Sequence, residues 1–300
     1  MPVNVHPASQ HGVEETSLQL RAMRAGFRAL RALSRGAAAR VAARAVARPR
    51  RHPVPARERA VLERADRSTV RGRSGDLAVW TWHAAEGTAA RGTAILVHGW
   101  EARGGQMTAF VDPLVAEGFR VVAFDHPGHG ESEGRTSSLP EMRDGLQDVA
   151  EAVLDEGVDG PEAIIAHSMG SFATTLLLAR GWSETRACYL APPDDLLVYF
   201  ARFLELATGD DDLLPDVVRL LEAEHGERVQ DFAFRPLVER LGQPLLVLHS
   251  DDDRDVPIEA GRYVASHWPG AGIVELEGLG HRRILRDRRV VRLAAEFLGG

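Results

Sequence analysis

The stretch AIIAHSMGSFATTLLLAR, residues 163–180, places a serine between a short apolar run and a segment with helical periodicity. A continuous apolar run of this length is typical of a strand that is covered on both faces of its sheet. Ala166 and Gly170, two residues on either side of Ser168, are small enough to let neighbouring backbones approach closely. A sharp strand–turn–helix connection of this kind holds its central residue in a strained conformation and exposes the side chain. We therefore predict that Ser168 is a nucleophile presented by such a turn.

The sequence on both sides of this stretch alternates between short apolar runs and helical periodicity from Thr69 onward. This alternation predicts an α/β fold with a mostly parallel central sheet flanked by helices. Further strands are expected at residues 76–83, 93–98, 120–124, 186–190, 244–248 and 272–276. Further helices are expected at residues 108–117, 140–154 and 289–298.

Residues 194–242 interrupt the alternation with about fifty residues of helical periodicity and no strand. An insertion between two sheet strands is expected to form a helical cap above the strand ends, where ligands bind in open α/β sheets. Its apolar residues Tyr199, Phe200 and Phe203 are candidates for lining an acyl-chain site, and packing within the cap is the alternative. The predicted organisation is an N-terminal extension over residues 1–66 and one α/β domain over residues 67–300.

The N-terminal extension is strongly basic, with eleven arginines and no acidic residue from Thr16 to Arg57. Its arginines recur three and four residues apart beside an apolar stripe, which predicts a basic amphipathic helix within residues 17–46. Such a helix can dock on the acidic body or on a second copy, or it can lie on an anionic membrane surface. A disordered tail and an organellar transit segment are the remaining interpretations.

The composition of the whole chain excludes several classes of function. With 36 basic and 43 acidic residues the net charge is −7, which disfavours nucleic-acid binding. The single cysteine, Cys188, cannot form an internal disulfide, which fits a reducing compartment. No apolar run is long enough to span a bilayer, and residues 1–15 lack a secretory pattern, so we expect a cytoplasmic protein, free or at a membrane surface. Neither a metal-binding motif nor a nucleotide-binding glycine motif is present, so no metal or cofactor is predicted.

Four further motifs lie near predicted strand ends. HGW, residues 98–100, follows one strand, and DHPGHG, residues 125–130, follows the next. HSDDDRDVP, residues 249–257, offers four acidic residues, and GLGHRR, residues 278–283, places His281 after the last strand. With Ser168, these motifs supply the serine, carboxylate and imidazole that nucleophilic catalysis requires.

From Thr69 to the C-terminus these motifs and their order resemble the α/β-hydrolase superfamily, whose triads run Ser, Asp, His along the chain. The resemblance implies Ser168 as nucleophile, His281 as base and backbone N–H groups of Trp100 and Met169 as the oxyanion hole. It places the acid three residues before Val256-Pro257, at Asp253, while Asp251 and Asp252 stay open, and Asp194 and Asp195 are a minor alternative. HGWEAR (98–103), YLAPP (189–193) and GHRRIL (280–285) further resemble a bacterial subgroup of esterase-like proteins.

The function implied by the resemblance is hydrolysis of a carboxylic ester of a small molecule through an acyl-enzyme, with Trp100 also contacting the substrate. The same triad also serves thioesterases, lactonases and carbon–carbon bond hydrolases, so the bond cleaved stays open. A ligand-binding protein on a hydrolase fold without turnover is the alternative of a different class.

Overall fold

The computed structural model describes residues 10–84, 89–209 and 212–300, and it describes the side chains from residue 21 onward. Its centre is one eight-stranded sheet with the strand order β1-β2-β4-β3-β5-β6-β7-β8. The strands are β1 (Asp66–Gly72), β2 (Gly75–Trp82), β3 (Thr93–Val97), β4 (Arg120–Phe124), β5 (Ala163–His167), β6 (Arg186–Leu190), β7 (Leu245–Ser250) and β8 (Gly272–Leu276).

The helices are α1 (Gln10–Leu33), α2 (Arg35–Val46), α3 (Ala56–Leu62), α4 (Val111–Ala116), α5 (Leu139–Val153), α6 (Met169–Leu178), α7 (Leu196–Thr208), α8 (Leu214–His225), α9 (Phe234–Val238), α10 (Ile258–His267), α11 (Gly280–Arg283) and α12 (Arg288–Gly299). Short 3₁₀ turns cover Gly104–Phe110, Val229–Phe232 and Ile284–Arg286.

The pairing of the strands confirms the predicted fold class. Strands β3 to β8 are all parallel to one another, and β2 joins the sheet antiparallel to β4. Every residue of β3 and β5 is buried, as expected for central strands covered on both faces. Because parallel strands all end at the same edge, the segments that follow β3, β5, β7 and β8 meet there.

Strand β1 was not predicted. It forms a hairpin with β2 in which Gly72 pairs with Gly75. Most of its residues are exposed, so DRSTVRG lacks the apolar alternation by which a strand is recognised. Cross-strand pairing with β2, which is a tertiary feature, makes this segment extended.

The chain divides into two compact units, a larger one of Ala47–Asp195 and Gln230–Gly300 and a smaller one of Met1–Val46 and Leu196–Val229. The larger unit holds the sheet. The predicted insertion is helical, but its last part, including α9, belongs to the larger unit. There Phe234 packs its ring 5.4 Å from that of Phe172 on α6.

The smaller unit joins the N-terminal helices to the insertion helices. The alanine-rich face of α2 is buried and packs against α8. Arg31 and Arg35 form ion pairs with Asp212 and Asp216, each at 2.7 Å, and Arg24 donates to the carbonyl of Leu206. The predicted amphipathic helix therefore exists as two helices that dock on the chain's own insertion. Membrane contact or self-association through residues 17–46 stays a prediction.

Candidate active site

Ser168 occupies the turn between β5 and α6 in a strained backbone conformation. Its φ is 51° and its ψ is −126°, a positive φ that non-glycine residues adopt rarely. Its N–H donates to the carbonyl of Leu190 on the neighbouring strand at 2.9 Å, and its carbonyl accepts from the N–H and the hydroxyl of Ser171. The strain is therefore maintained by backbone bonds on both sides, and the serine side chain is left partly exposed.

Two glycines allow this turn to pack closely. A Cβ on Gly170 would lie 2.5 Å from the carbonyl oxygen of His98. A Cβ on Gly99 would lie 2.9 Å from the Cβ of Ser168. Both distances are shorter than non-bonded atoms tolerate, so only glycine fits at these positions. The segment after β3 and the serine turn are thus in direct contact.

The structure pairs His281 with Asp253 and not with its two acidic neighbours. The His281 Nδ1 lies 2.8 Å from Asp253 Oδ2. Because a carboxylate only accepts, Nδ1 carries the proton of the neutral ring and Nε2 is its basic nitrogen. The other oxygen of Asp253 accepts from the N–H groups of Asp255 and Val256, each at 2.9 Å. Burial opposes ionisation of Asp253, but these hydrogen bonds and the nearby imidazole hold its pKa below the usual value.

The other acidic residues of the run, with Ser250, hold the loop that carries His281. Asp251 accepts from the N–H of Gly278 at 3.1 Å, and Asp252 accepts from the N–H of Gly280 at 2.6 Å. The buried Ser250 hydroxyl accepts from the N–H groups of Leu279 and Gly280 and donates to Asp252 at 2.7 Å. The hydrogen bond from Ser250 and that from Gly280 hold the pKa of Asp252 below its usual value.

His167, one residue before the serine, connects the strand that precedes Ser168 to the loop of His281. Its Nε2 donates to the carbonyl of His281 at 2.9 Å, and the two rings lie 4.6 Å apart. Burial holds the pKa of His167 well below its usual value, so the ring is neutral and Nε2 carries the proton. The histidine loop is thereby anchored beside Ser168.

The two predicted oxyanion donors belong to Met169, directly after Ser168, and to Trp100, directly after the Gly99 that contacts the serine turn. Met169 is the first residue of α6, and the first N–H groups of a helix have no acceptor within it. Trp100 lies in a tight turn in which the N–H of Ala102 donates to the carbonyl of Gly99 at 3.3 Å. Neither N–H donates to a backbone carbonyl of the residues that the structure describes.

The DHPGHG loop contacts the segment after β3 that contains Trp100. The buried carboxylate of Asp125 accepts from the N–H groups of Gly104 and Glu131, each at 2.7 Å. Burial raises the pKa of Asp125 to about 6, although both hydrogen bonds favour the ionised form. The ring of His129 contacts that of Trp100 edge-on at 5.2 Å.

A surface cavity beside His281 has a charged lining that includes Asp252, Arg254, Arg282 and Arg283. This lining does not suit an apolar acyl chain. The predicted apolar candidates Tyr199, Phe200 and Phe203 lie on α7 in the smaller unit, and their role in substrate binding stays a prediction.

Within the described ranges, no group of three or more His, Cys, Asp or Glu side chains is arranged to hold a metal ion. In the same part of the chain, no helix combines the length and the apolar character needed to cross a bilayer.

Comparison with known proteins decides the family. A model of the alpha/beta hydrolase family matches residues 94–295, which is more than half of the chain. The chain belongs to the α/β-hydrolase family. It is 40% identical over 254 residues to a pimeloyl-[acyl-carrier protein] methyl ester esterase of Methylococcus capsulatus, covering 70% of this chain and 96% of that protein. It is 30% identical over 220 residues to a monoacylglycerol lipase of Mycolicibacterium smegmatis, covering 61% of this chain and 76% of the lipase.

A solved structure supports the fold of this hydrolase. An esterase of Pyrococcus furiosus superposes with a TM-score of 0.63 at 19% identity and covers 84% of this chain and 97% of its own. At that identity the likeness establishes the architecture alone.

Sequence reasoning about this hydrolase missed the residues that position His281. Ser250, Asp252 and His167 had no assigned contact to the histidine loop, because hydrogen bonds between segments about thirty or a hundred residues apart leave no periodic pattern. The run of three aspartates was the available signal. It led to a choice among them as acid, whereas all three contribute hydrogen bonds at this end of the sheet.

Proposed function

We propose that the protein is a serine hydrolase that cleaves carboxylic esters through an acyl-enzyme. Ser168 is the nucleophile, His281 the base and Asp253 the acid that orients it. The observation that carries the proposal is the 2.8 Å hydrogen bond between His281 and Asp253, in a loop that is anchored through His167 beside the strained Ser168.

The mechanism follows from the chemistry of these groups. The His281 Nε2 removes the proton of the Ser168 hydroxyl as its oxygen attacks the ester carbonyl carbon. The N–H groups of Trp100 and Met169 stabilise the resulting oxyanion, and His281 then protonates the departing alcohol. Water activated by His281 hydrolyses the acyl-enzyme and regenerates Ser168.

The preference for an ester over a thioester, lactone or carbon–carbon bond is supported by the relatives. Two that resemble this chain are named a methyl ester esterase and a monoacylglycerol lipase. Both act on carboxylic esters of acyl chains, so the same bond is the first to test. The non-catalytic alternative is disfavoured because the acid and the base are hydrogen-bonded to each other.

The test is a panel of p-nitrophenyl esters and thioesters of increasing acyl-chain length, run on the wild type, Ser168→Ala and the control Ser183→Ala. Ser183 is an exposed serine of the same unit whose hydroxyl donates to the side chain of its neighbour Glu184 at 3.4 Å. We expect ester turnover by the wild type and the control, and a loss of about 10⁴-fold or more in Ser168→Ala. A fluorophosphonate probe should label the wild type and not Ser168→Ala. Equal turnover by Ser168→Ala and the wild type would end the proposal.

A further inference from the structure

A segment that precedes the sheet, residues 47–62, runs along the larger unit and contacts both loops beside the serine turn. We call this segment the strap. Its first residue, Ala47, accepts from the N–H of Ser137 at 2.7 Å. Its helix α3 presents Glu58, whose buried carboxylate binds the buried guanidinium of Arg103 at 2.6 Å. The strap is therefore fixed near both ends.

Between these ends, Arg50 binds Glu101 at several points. The Arg50 Nε lies 2.9 Å from each carboxylate oxygen of Glu101, and Nη2 lies 2.7 Å from Oε2. The backbone N–H of Arg50 also donates to Oε1 at 3.3 Å. A two-point guanidinium–carboxylate contact fixes direction as well as distance. The Glu101 side chain is only 13% exposed, so this carboxylate is screened much less than that of an ordinary surface pair.

Glu101 has a backbone conformation that glutamate disfavours. Its φ is 53°, and it is the third residue of the tight turn Gly99–Ala102. A positive φ at this position is characteristic of turns that normally place glycine or asparagine there. Here glutamate occupies the position, and its carboxylate is held by Arg50. The residue before it in the turn is Trp100.

Arg51 holds the second loop. Its guanidinium donates to three carbonyls of the loop that begins with DHPGHG, those of Gly128, Ser132 and Gly134, at 3.1, 2.6 and 2.9 Å. This loop carries His129, whose ring contacts Trp100. Two consecutive arginines of the strap thus restrain the two segments that surround Trp100.

We propose that Arg50 is a positioning residue of the active site: by clamping Glu101 it holds the Gly99–Ala102 turn in the conformation that aims the Trp100 N–H at the oxyanion. This inference rests on the proposed function of Ser168 and of that N–H. It gives the strap a role in catalysis that does not require its side chains to contact the substrate.

The experiment compares Arg50→Ala with Arg262→Ala in the full chain. Arg262 makes an equivalent two-point pair with Glu275, at 2.8 and 2.7 Å, on an edge of the same unit. Removing one oxyanion donor costs about 10²–10³-fold in kcat, so we expect its displacement in Arg50→Ala to lower kcat by roughly tenfold, with KM nearly unchanged. Arg262→Ala should retain the wild-type kcat. Melting temperatures of both variants check that the effect is not general unfolding.

The double variant Arg50→Ala/Glu101→Gly separates positioning from other causes. Glycine adopts a positive φ without a clamp, so the double variant should regain kcat to within about threefold of the wild type. Hydrogen exchange of the amides of residues 98–104 should increase in Arg50→Ala and not in Arg262→Ala.

An unchanged kcat in Arg50→Ala, or no recovery in the double variant, would overturn the inference. If the wild type turns over no ester, the proposed function fails, and the exchange measurement still decides whether Arg50 holds the turn. Equal exchange in Arg50→Ala and the wild type would then refute the clamp itself.

Discussion

The two sides of the proposed active site are held by different parts of the chain. The acid–base side is held from within its own end of the sheet, where Ser250 at the end of β7, followed by Asp251 and Asp252, binds the loop after β8. The oxyanion side is held from outside the sheet, where Arg50 and Arg51 of the strap bind the loops after β3 and β4. The first arrangement uses adjacent parallel strands, and the second uses a segment far upstream in sequence.

The two sides therefore differ in how readily substitutions displace their loops. Neighbouring strands of one sheet are kept in place by many backbone bonds, so their loops share the stability of the sheet. The strap contributes a few guanidinium contacts, and the Arg50 side chain is 73% exposed. We therefore expect the oxyanion side to be the side that surface substitutions loosen more readily.

The largest effect on kcat is expected from a substitution on the acid–base side. Asp253→Asn removes the charge that holds His281 in its useful tautomer, and we expect kcat to fall by about 10³–10⁴-fold. Asp251→Asn is the matched control, because an amide oxygen still accepts from the N–H of Gly278, and its kcat should stay within about threefold of the wild type. Steady-state ester kinetics measure both. A larger loss in Asp251→Asn than in Asp253→Asn would reassign the acid.

A smaller effect is expected from a substitution on the same side that leaves Ser168, His281 and Asp253 unchanged. Ser250→Ala removes the hydroxyl that accepts from the N–H of Leu279, while the N–H of Gly280 keeps its hydrogen bond to Asp252. We expect a loss of about 1–3 kcal/mol in the free energy of unfolding, and roughly tenfold in kcat. Urea unfolding and ester turnover check this, with Ser266→Ala on α10 as the control. Retention of full stability and activity by Ser250→Ala would show that other contacts hold the histidine loop.

The smallest effect is a dependence of stability on pH. The folded-state pKa of Asp253 lies below its usual value, so its ionised form stabilises the native state above the unfolded pKa, about 4, and this contribution is lost as pH falls through the folded pKa. The difference in unfolding free energy between the wild type and Asp253→Asn should therefore shrink as the pH falls below about 4, the usual pKa of an aspartate. Denaturant titrations at several pH values measure it. A difference that grows on acidification would contradict the assigned direction.

Features that depend on residues close together in the sequence could be predicted, whereas features that depend on contacts between distant residues could not. The strands from β2 to β8 were predicted within a few residues, because covered strands carry continuous apolar runs. Strand β1 was missed because pairing with β2, and not burial, makes it extended. Gly170 could be anticipated from the motif, but the close approach that requires it involves the carbonyl of His98 in the loop after β3.

The sequence by itself determined the fold class, the strained serine turn and the order of the chemical groups along the chain, since these follow from local periodicity and small residues at fixed offsets. Only the tertiary structure decided that Asp253 is the aspartate paired with His281, that α1 and α2 form one unit with α7 and α8, and that Arg50 grips Glu101. These are contacts between residues that are distant in sequence, and their partners are chosen by the three-dimensional path of the backbone. A count of arginines contains no information about which carboxylate each one meets.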